Sequence, residues 1–161
     1  MHKMDLTIPG ELESVFGAGF ILYRRIPPEN RIEYLLVKSS SGKWGTAKGH
    51  VEEGETDYEA AKRETMEEVG LEEGKDFKVI PDFKTAVKYE VNNSRDGNKI
   101  KIVTLWLGEI VNVHCVVKIL PEHQDYKWLE LKDAVCFIGR RIESKDWVSC
   151  LEKCQEKIQS M

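Results

Sequence analysis

Cysteine is scarce in this chain, and the cysteines present are not spaced as metal ligands or as a disulfide framework. Four cysteines occur among 161 residues, with no Cys-x-x-Cys pair and no histidine cluster beside them. Cys150 and Cys154 are one helical turn apart, a spacing that helix packing explains. The pattern excludes a zinc ribbon and a disulfide scaffold. It predicts free thiols of a reducing compartment, with the cytoplasm as the expected location and the nucleus left open.

Long apolar runs and a strong charge of either sign are also missing. No stretch reaches the length of a membrane-spanning helix, and the N-terminal residues contain no apolar signal core. The net charge of −4 argues against a general binder of nucleic acids or membrane surfaces. Hydrophobic residues at 41% and charged residues at 32% are typical of a globular domain. We expect an extension at residues 1–13 and a single domain at residues 14–161, with no membrane partner.

The hydrophobic pattern predicts a domain of mixed α/β (α+β) class. Apolar runs predict strands, and Asp96-Gly97 between two of them is typical of a hairpin turn. Helical spacing near the C-terminus predicts two helices, the second capped by Ser144. The predicted strands cover 15–26, 32–38, 78–91, 99–110, 113–119 and 126–131, and the predicted C-terminal helices cover 132–138 and 144–158. This order favours α and β layers around a mixed sheet.

The stretch from Lys48 to Leu71 joins a glycine-containing loop to an acidic helix. It holds seven glutamates in 24 residues. Thr56-Asp57-Tyr58-Glu59 has the spacing of a capping box, so the helix is expected to start after Thr56. Gly70 is placed to end the helix in a left-handed conformation.

Three carboxylates of this helix, Glu64, Glu67 and Glu68, lie at i, i+3 and i+4 and share a face. Clustered carboxylates suit a hard divalent cation such as Mg²⁺, which takes oxygen ligands and often shares them with substrate phosphates. Mn²⁺ is a second candidate for the same ligands. The three glutamates taken alone also fit a solvated acidic face of a surface helix.

The spacing of the whole stretch resembles the Nudix box. Gly49 is followed after five residues by Glu55, after seven more by Arg63-Glu64, after two by Glu67-Glu68 and after one by Gly70-Leu71. Thr65 stands where that box usually has an aliphatic residue. The resemblance implies a Nudix-type α/β/α sandwich with a mixed β-sheet and a loop–helix–loop active site.

A second segment, Pro121–Leu129, resembles the animal-type asymmetrical diadenosine tetraphosphate (Ap4A) hydrolases, a Nudix subfamily, in its Glu-His-Gln-x-Tyr-x-Trp-Leu pattern. The resemblance implies that Glu122 adds a carboxylate to the metal set. It also implies that Tyr89 stacks on an adenine ring and that Lys101 contacts the polyphosphate. The expected substrate-binding residues are Lys48, His50, Tyr89, Lys101 and Tyr126.

Several of these residues also have a structural reading. Lys48 fits an ordinary surface lysine, His50 a loop hydrogen bond and Tyr89 a strand aromatic. Arg63 belongs to the expected catalytic set with the three helix glutamates. Its expected role there is to pair with Glu55 and hold the box together while it points away from Glu64.

The chain departs from the subfamily at three places. Thr46-Ala47 stands where the subfamily has two prolines, and the connector 92–98 is longer. A second stacking aromatic has no clean match, since Phe137 lies nearby and Arg140 falls closer to the aligned position.

These features predict Mg²⁺-dependent hydrolysis of Ap4A and water to ATP and AMP by a monomer. Either Glu64 or Glu68 would activate the water, which the sequence leaves open. Alternatives are another Nudix substrate (a nucleoside triphosphate, a nucleotide sugar or a capped RNA 5′ end) and a nucleotide-binding protein without activity. Apart from such a capped end, no nucleic-acid partner is expected.

Overall fold

The computed structural model describes residues 13–93, 97–112, 114–121, 123, 125–139 and 145–161. Its strands are β1 (Glu13–Ile26), β2 (Arg31–Lys38), β3 (Trp44–Gly45), β4 (Lys48–His50), β5 (Phe77–Val79), β6 (Thr85–Asn93), β7 (Gly97–Ile110) and β8 (Asp125–Leu129). Its helices are α1 (Asp57–Val69), α2 (Leu131–Ile138) and α3 (Lys145–Gln159). Within these ranges no helix is both long and apolar enough to cross a membrane.

The strands form one mixed sheet in which β1 and β7 run parallel at the centre. Their register extends from Glu13 opposite Lys99 to Tyr23 opposite Glu109. The order across the described sheet is β3-β2-β1-β7-β5, with β4 paired to β1, β6 to β7 and β8 to β2, and these other pairings are antiparallel. Strand β1 begins at Glu13, one residue before the domain boundary predicted at residue 14. Residues 1–12, which make up most of the predicted extension, lie outside the described part.

Alternating side chains of the central strands bury two cores, one on each face of the sheet. Phe20 and Leu22 of β1 pack under α1, together with Ala60 and Ala61 of that helix. The opposite face carries a core with α2 and α3, to which β1 contributes Ile21 and Tyr23. Successive strand residues point to opposite faces, so one strand serves both cores. The predicted α/β/α sandwich is confirmed.

Helix α1 begins and ends where the sequence predicts. The Glu59 amide donates to Thr56 Oγ1 at 3.1 Å and the Thr56 amide donates to Glu59 Oε1 at 2.9 Å, which completes the capping box. Gly70 adopts φ 69° at the C-cap. Only glycine takes this left-handed conformation without a steric penalty, so the helix stops there.

Other boundaries differ from the prediction. The predicted strand 78–91 is two strands, because Pro81 and Asp82 form a turn with a positive φ of 58° at Asp82. The predicted strand 113–119 is wrong for its described residues: 114–119 are irregular. Two short strands that the sequence did not predict, β3 and β4, flank Thr46-Ala47, and β4 lies where the loop before α1 was expected.

The C-terminal elements follow the prediction with small shifts. The strand predicted at 126–131 is β8, and the helix predicted at 132–138 is α2. Helix α3 starts at Lys145, while its predicted cap, Ser144, lies outside the described residues. The four cysteines are free thiols, as predicted, with Cys150 and Cys154 buried.

Candidate active site

Helix α1 presents its three glutamates to different surroundings. Ala61, Thr65 and Val69 are buried at i, i+4 and i+8 and fix this side of the helix against the sheet. Glu64 and Glu68 lie beside that buried stripe, and each side chain is 14% exposed. The side chain of Glu67 is 52% exposed and points outward. The shared face that the spacing predicts is therefore split into two enclosed carboxylates and one open one.

Arg63 ties the loop before α1 to the helix. Its Nη2 lies 2.6 Å from Glu55 Oε1 and donates to the His50 carbonyl at 3.0 Å, while its Nε donates to Glu55 Oε2 at 3.1 Å. These hydrogen bonds lower the pKa of the Glu55 carboxyl. Glu55 Oε1 also accepts the Glu52 amide at 2.9 Å. The predicted pairing of Arg63 with Glu55 is confirmed.

The expectation that Arg63 points away from Glu64 is wrong. Arg63 Nη1 donates to Glu64 Oε1 at 2.8 Å and to Glu67 Oε2 at 3.3 Å. Adjacent helical residues diverge at Cβ, but the long arginine side chain bends back along the helix and its fork serves several carboxylates at once. Arg63 therefore orients Glu64 as well as the loop.

Glu68 is the helix carboxylate most strongly perturbed by its surroundings. Its Oε1 accepts the Lys48 amide at 3.4 Å, and its Oε2 lies 3.5 Å from His123 Nε2. Burial raises the pKa of Glu68 to about 7; the Glu64 charge acts in the same direction, and the Lys48 charge opposes it. The group thus changes protonation near neutral pH.

Two lysines and a histidine predicted to bind phosphate lie around these carboxylates. Burial lowers the pKa of Lys48, while the charges of Glu68 and Glu64 oppose that shift. The pKa of Lys101 is lowered by burial and by Lys48, and that of His50 by burial and by Lys101. These mutual effects show that the predicted residues share one electrostatic environment.

A cavity of about 740 Å³ opens beside this cluster. Lys48, Glu68 and His123 supply polar groups to its lining, and Trp44, Tyr89 and Trp147 supply aromatic rings. Tyr89 is the cross-strand partner of Lys101, so a predicted base-stacking ring lies next to a predicted phosphate-binding cation. A cavity that combines aromatic rings with convergent polar and charged groups is a usual form of a ligand site.

Three of the predicted binding residues, His50, Lys101 and Tyr126, are not among the residues that line this cavity. Tyr126 of β8 packs partly buried against the core under α1 and is not among the cavity's lining residues. Its position in β8 places it in the register opposite Val37, away from Lys101 and Tyr89.

The cavity has lining residues that the sequence does not single out for binding, among them Trp147 and Thr46. Trp147, within the helix predicted at 144–158, lines the cavity with Lys48 Nζ 5.9 Å from its ring centroid. Thr46 lines it too. The substitution of the Pro-Pro pair by Thr46-Ala47 was the available signal. Phe137, considered as a second stacking ring, instead packs edge-on against Trp44 with centroids 5.3 Å apart.

The enclosed carboxylates suit Mg²⁺, which proteins hold through one or two carboxylates together with water and substrate phosphates. Gly49 leaves room for this arrangement, since a Cβ there would lie 2.0 Å from Glu64 Cδ. Among the described residues no three Asp, Glu, His or Cys side chains form a ready-made metal cage. Glu122, the predicted fourth carboxylate, and Arg140 lie outside the described residues.

Comparison with known proteins matches the NUDIX domain model to residues 16–148. The asymmetrical bis(5′-nucleosyl)-tetraphosphatase of Sus scrofa is 36% identical over 151 residues, which cover 90% of this chain and 96% of that protein. The Mus musculus enzyme of the same name is 38% identical over 135 residues, covering 80% and 87%.

A solved structure leads to the same family. A binary complex of the C. elegans Ap4A hydrolase superposes with a TM-score of 0.79 at 32% identity, covering 91% of this chain and 99% of that one. The domain match includes the box and most of the sheet described above, and together with the two relatives and this superposition it shows that the chain belongs to the NUDIX family.

Proposed function

We propose that the protein is a NUDIX pyrophosphohydrolase that cleaves dinucleoside polyphosphates asymmetrically, converting Ap4A and water into ATP and AMP. The observation that carries the proposal is the cavity itself, which joins aromatic rings for a base to the Lys48 ammonium for a phosphate chain, with Lys101 the cross-strand partner of the lining residue Tyr89. The relatives named above carry this activity in their names. Their identity over most of the chain supports the same substrate class.

The charges of the site explain how an acidic protein receives an anionic substrate. Lys48 and Lys101 are both depleted of water by burial, so their attraction to phosphate oxygens is screened less than at the surface. His50 lies in the same electrostatic environment. Tyr89 beside Lys101 places a stacking surface next to the phosphate-binding cation.

We assign the metal site to Glu64 and Glu68, with Glu67 and Glu122 completing the ligand set around Mg²⁺. When bound there, the cation neutralises phosphate charge and favours ionised water as the nucleophile. Mn²⁺ would suit the same oxygen ligands. Arg63 keeps Glu64 oriented through the hydrogen bond at 2.8 Å and leaves Glu68 free to face the cavity.

Glu68 is the group that we assign to accept the proton of the attacking water. Its carboxylate lines the cavity, and burial raises its pKa to about 7 in the metal-free protein, so it takes up a proton more readily than an ordinary glutamate. Glu64, by contrast, is engaged by the Arg63 guanidinium. We therefore assign the role to Glu68, one of the two candidates that the sequence leaves open. Lys48 and Lys101 would stabilise the negative charge of the departing phosphate group.

Product analysis after incubation with Ap4A and Mg²⁺ tests the proposal. Chromatography is expected to show ATP and AMP in equal amounts, and a chelator is expected to abolish their formation. Glu68→Gln is expected to lower kcat by about 100-fold or more, since it removes a positioned proton acceptor. Glu53→Gln, at an exposed loop position, is the matched control.

Two outcomes would contradict this assignment. Symmetric cleavage to two ADP molecules would show that the chain cleaves a different phosphoanhydride bond from the one that yields ATP and AMP. The protein is also incubated with a nucleoside triphosphate, a nucleotide sugar and a capped RNA. Faster turnover of any of these than of Ap4A would show that Ap4A is not the preferred substrate. We further propose that the protein is a monomer located in the cytoplasm. Light scattering would test the oligomeric state, and cell fractionation would test the location.

A further inference from the structure

Trp147 of α3 is held in a fixed position at the wall of the cavity. One residue before it, Asp146 Oδ2 accepts the Lys88 amide of β6 at 2.9 Å. Three residues after it, Cys150 Sγ donates to the Ala86 carbonyl of the same strand at 3.3 Å. Trp147 itself packs in the core that α2 and α3 form with the sheet. The helix and the strand together therefore determine where its ring lies.

Trp147 leaves little of its surface open to a nucleobase. It is 7% exposed, whereas Trp44 and Tyr89, which line the same cavity, are partly exposed. The Lys48 ammonium lies over the indole ring, with Nζ 5.9 Å from the ring centroid. A cation over the face of a tryptophan ring is attracted by the negative potential of that face. The geometry therefore relates Trp147 to a phosphate-binding cation and not to a base.

The Lys48 ammonium is subject to two competing attractions. The charges of Glu68 and Glu64 act on it, but within the described part of the chain Lys48 forms no ion pair with either carboxylate. Burial removes water from the ammonium, and the attraction of a cation to an aromatic ring is stronger when the cation is desolvated. An ion pair with Glu68 would occupy a phosphate-binding cation and a metal-binding carboxylate at once. Keeping the two groups apart leaves both available.

We propose that Trp147 is a positioning residue whose ring holds the Lys48 ammonium apart from the carboxylates and directs it to the phosphate chain of the substrate. Trp147 acts through Lys48 and does not touch the reacting atoms. The inference rests on the proposed function for the identity of that phosphate chain. It extends the phosphate-binding site to helix α3, which is remote in sequence from the box.

Replacing Trp147 by tryptophan analogues with one, two and three ring fluorines tests the contact. Fluorine withdraws electron density from the ring face and weakens its attraction for a cation, while the shape of the side chain is nearly kept. Calorimetry measures the affinity for inorganic tripolyphosphate in the presence of Mg²⁺, a probe that needs neither a nucleoside nor turnover. The affinity is expected to fall stepwise, by about three- to tenfold between tryptophan and the trifluorinated ring. A decrease of the same size is expected in kcat/KM with Ap4A.

Two lysine variants and a second tryptophan supply the controls. In Lys48→Met, which keeps a similar length without the charge, fluorination of Trp147 is expected to leave the tripolyphosphate affinity unchanged. In Lys101→Met the stepwise decrease is expected to remain, because the ring of Trp147 lies under Lys48. The same analogues at Trp106 are expected to have no effect, since this ring packs against Tyr58 with centroids 5.2 Å apart and does not line the cavity.

Three results would contradict the positioning role. A constant tripolyphosphate affinity across the fluorinated series would show that the ring does not hold the cation. A decrease that persists in Lys48→Met would show that Trp147 does not act through Lys48. A decrease in the affinity for adenosine, which is expected to stay constant, would assign the ring to the base instead.

The proposed function and the positioning role can fail separately. If the wild-type protein does not cleave Ap4A but its tripolyphosphate affinity follows the fluorinated series, the proposed function is wrong and the role of Trp147 stands. If the protein cleaves Ap4A but binds no tripolyphosphate, the role of Trp147 is wrong and the proposed function stands.

Discussion

At the residue scale, glutamates that look equivalent in the sequence have separate roles in the folded chain. The Glu67 side chain is half exposed and forms an ion pair with Arg63. Glu64 accepts a hydrogen bond from the Arg63 guanidinium, and Glu68 lines the cavity. Helical spacing predicted their common face. It could not predict which carboxylate is enclosed, because that depends on where the sheet and the loop meet the helix.

The space around Glu64 depends on the missing side chain at Gly49. Gly49→Ala would place a Cβ 2.0 Å from Glu64 Cδ, and the flexible carboxylate is expected to move aside. Such a displacement is expected to lower Ap4A turnover by about 10-fold or more, as for other misplaced site groups, with little change in melting temperature. Turnover and thermal unfolding of the purified variant measure the two effects.

Gly19→Ala is the matched comparison for Gly49→Ala. Its Cβ would lie 2.1 Å from the Ala47 carbonyl oxygen, which is backbone and cannot rotate away. The expected result is a loss of stability of about 1–3 kcal/mol, typical of overpacking. Full activity in Gly49→Ala would show that Ap4A turnover does not depend on the position of the Glu64 carboxylate.

At the element scale, Arg63 joins the loop containing Glu55 to helix α1. Ion pairs that remain partly exposed contribute little to stability. The main effect of the Arg63 pairs with Glu55 and Glu64 is therefore to fix the direction of the loop and of the Glu64 side chain. Arg63→Lys keeps the charge but loses the planar fork that reaches Glu55, Glu64 and the His50 carbonyl together.

Arg63→Lys is therefore expected to lower kcat/KM by about 10–100-fold, the usual effect of losing a group that orients metal ligands. A Mg²⁺ titration of activity is expected to shift to higher concentration in the variant, a change that a general loss of stability would not produce. Lys62→Arg, one residue earlier and exposed, is the control. An unchanged Mg²⁺ dependence would show that Arg63 only holds the loop.

The secondary-structure elements were predictable where a local signal fixes them. The capping box at Thr56 and the left-handed Gly70 set both ends of α1. Pro81 is a break signal inside the predicted strand 78–91, since proline cannot donate a hydrogen bond to a sheet. The error at 114–119 has a different cause: the alternating pattern there is suitable for a strand, but the segment is held by contacts such as the Lys118 amide to the Val69 carbonyl. Strand pairing needs a free partner edge, which local sequence does not reveal.

At the scale of the whole molecule, the cavity lies where segments remote in sequence converge. Trp44, Tyr89 and Trp147 come from β3, β6 and α3, yet line one space. The resemblance to the Nudix box predicted the layers and the helix of the site. It did not predict Trp147 as a wall of the cavity, because helical spacing assigns an apolar residue to a face without saying what that face meets.

Enclosing Glu68 in this assembly also makes the stability of the metal-free protein depend on pH. Its pKa is about 7 in the folded chain against an ordinary value of 4.5. Between these values the folded state binds more protons than the unfolded state, so the free energy of unfolding falls as pH rises and the loss is complete above about pH 7. The expected loss is about 1–3 kcal/mol, allowing for partial solvent screening.

Glu68→Gln removes this dependence. In the presence of a chelator the variant is expected to melt several degrees above the wild type at pH 8, since about 2–4 °C accompany each kcal/mol in a protein of this size. At pH 4, where the carboxyl is mostly protonated in the folded and the unfolded state, the difference is expected nearly to vanish. Glu67→Gln, whose side chain is half exposed, is expected to follow the wild type at both pH values. If the melting temperatures of wild type and Glu68→Gln changed in parallel with pH, the Glu68 carboxylate would be solvated. That result would contradict the assignment of Glu68 as a base acting near neutral pH.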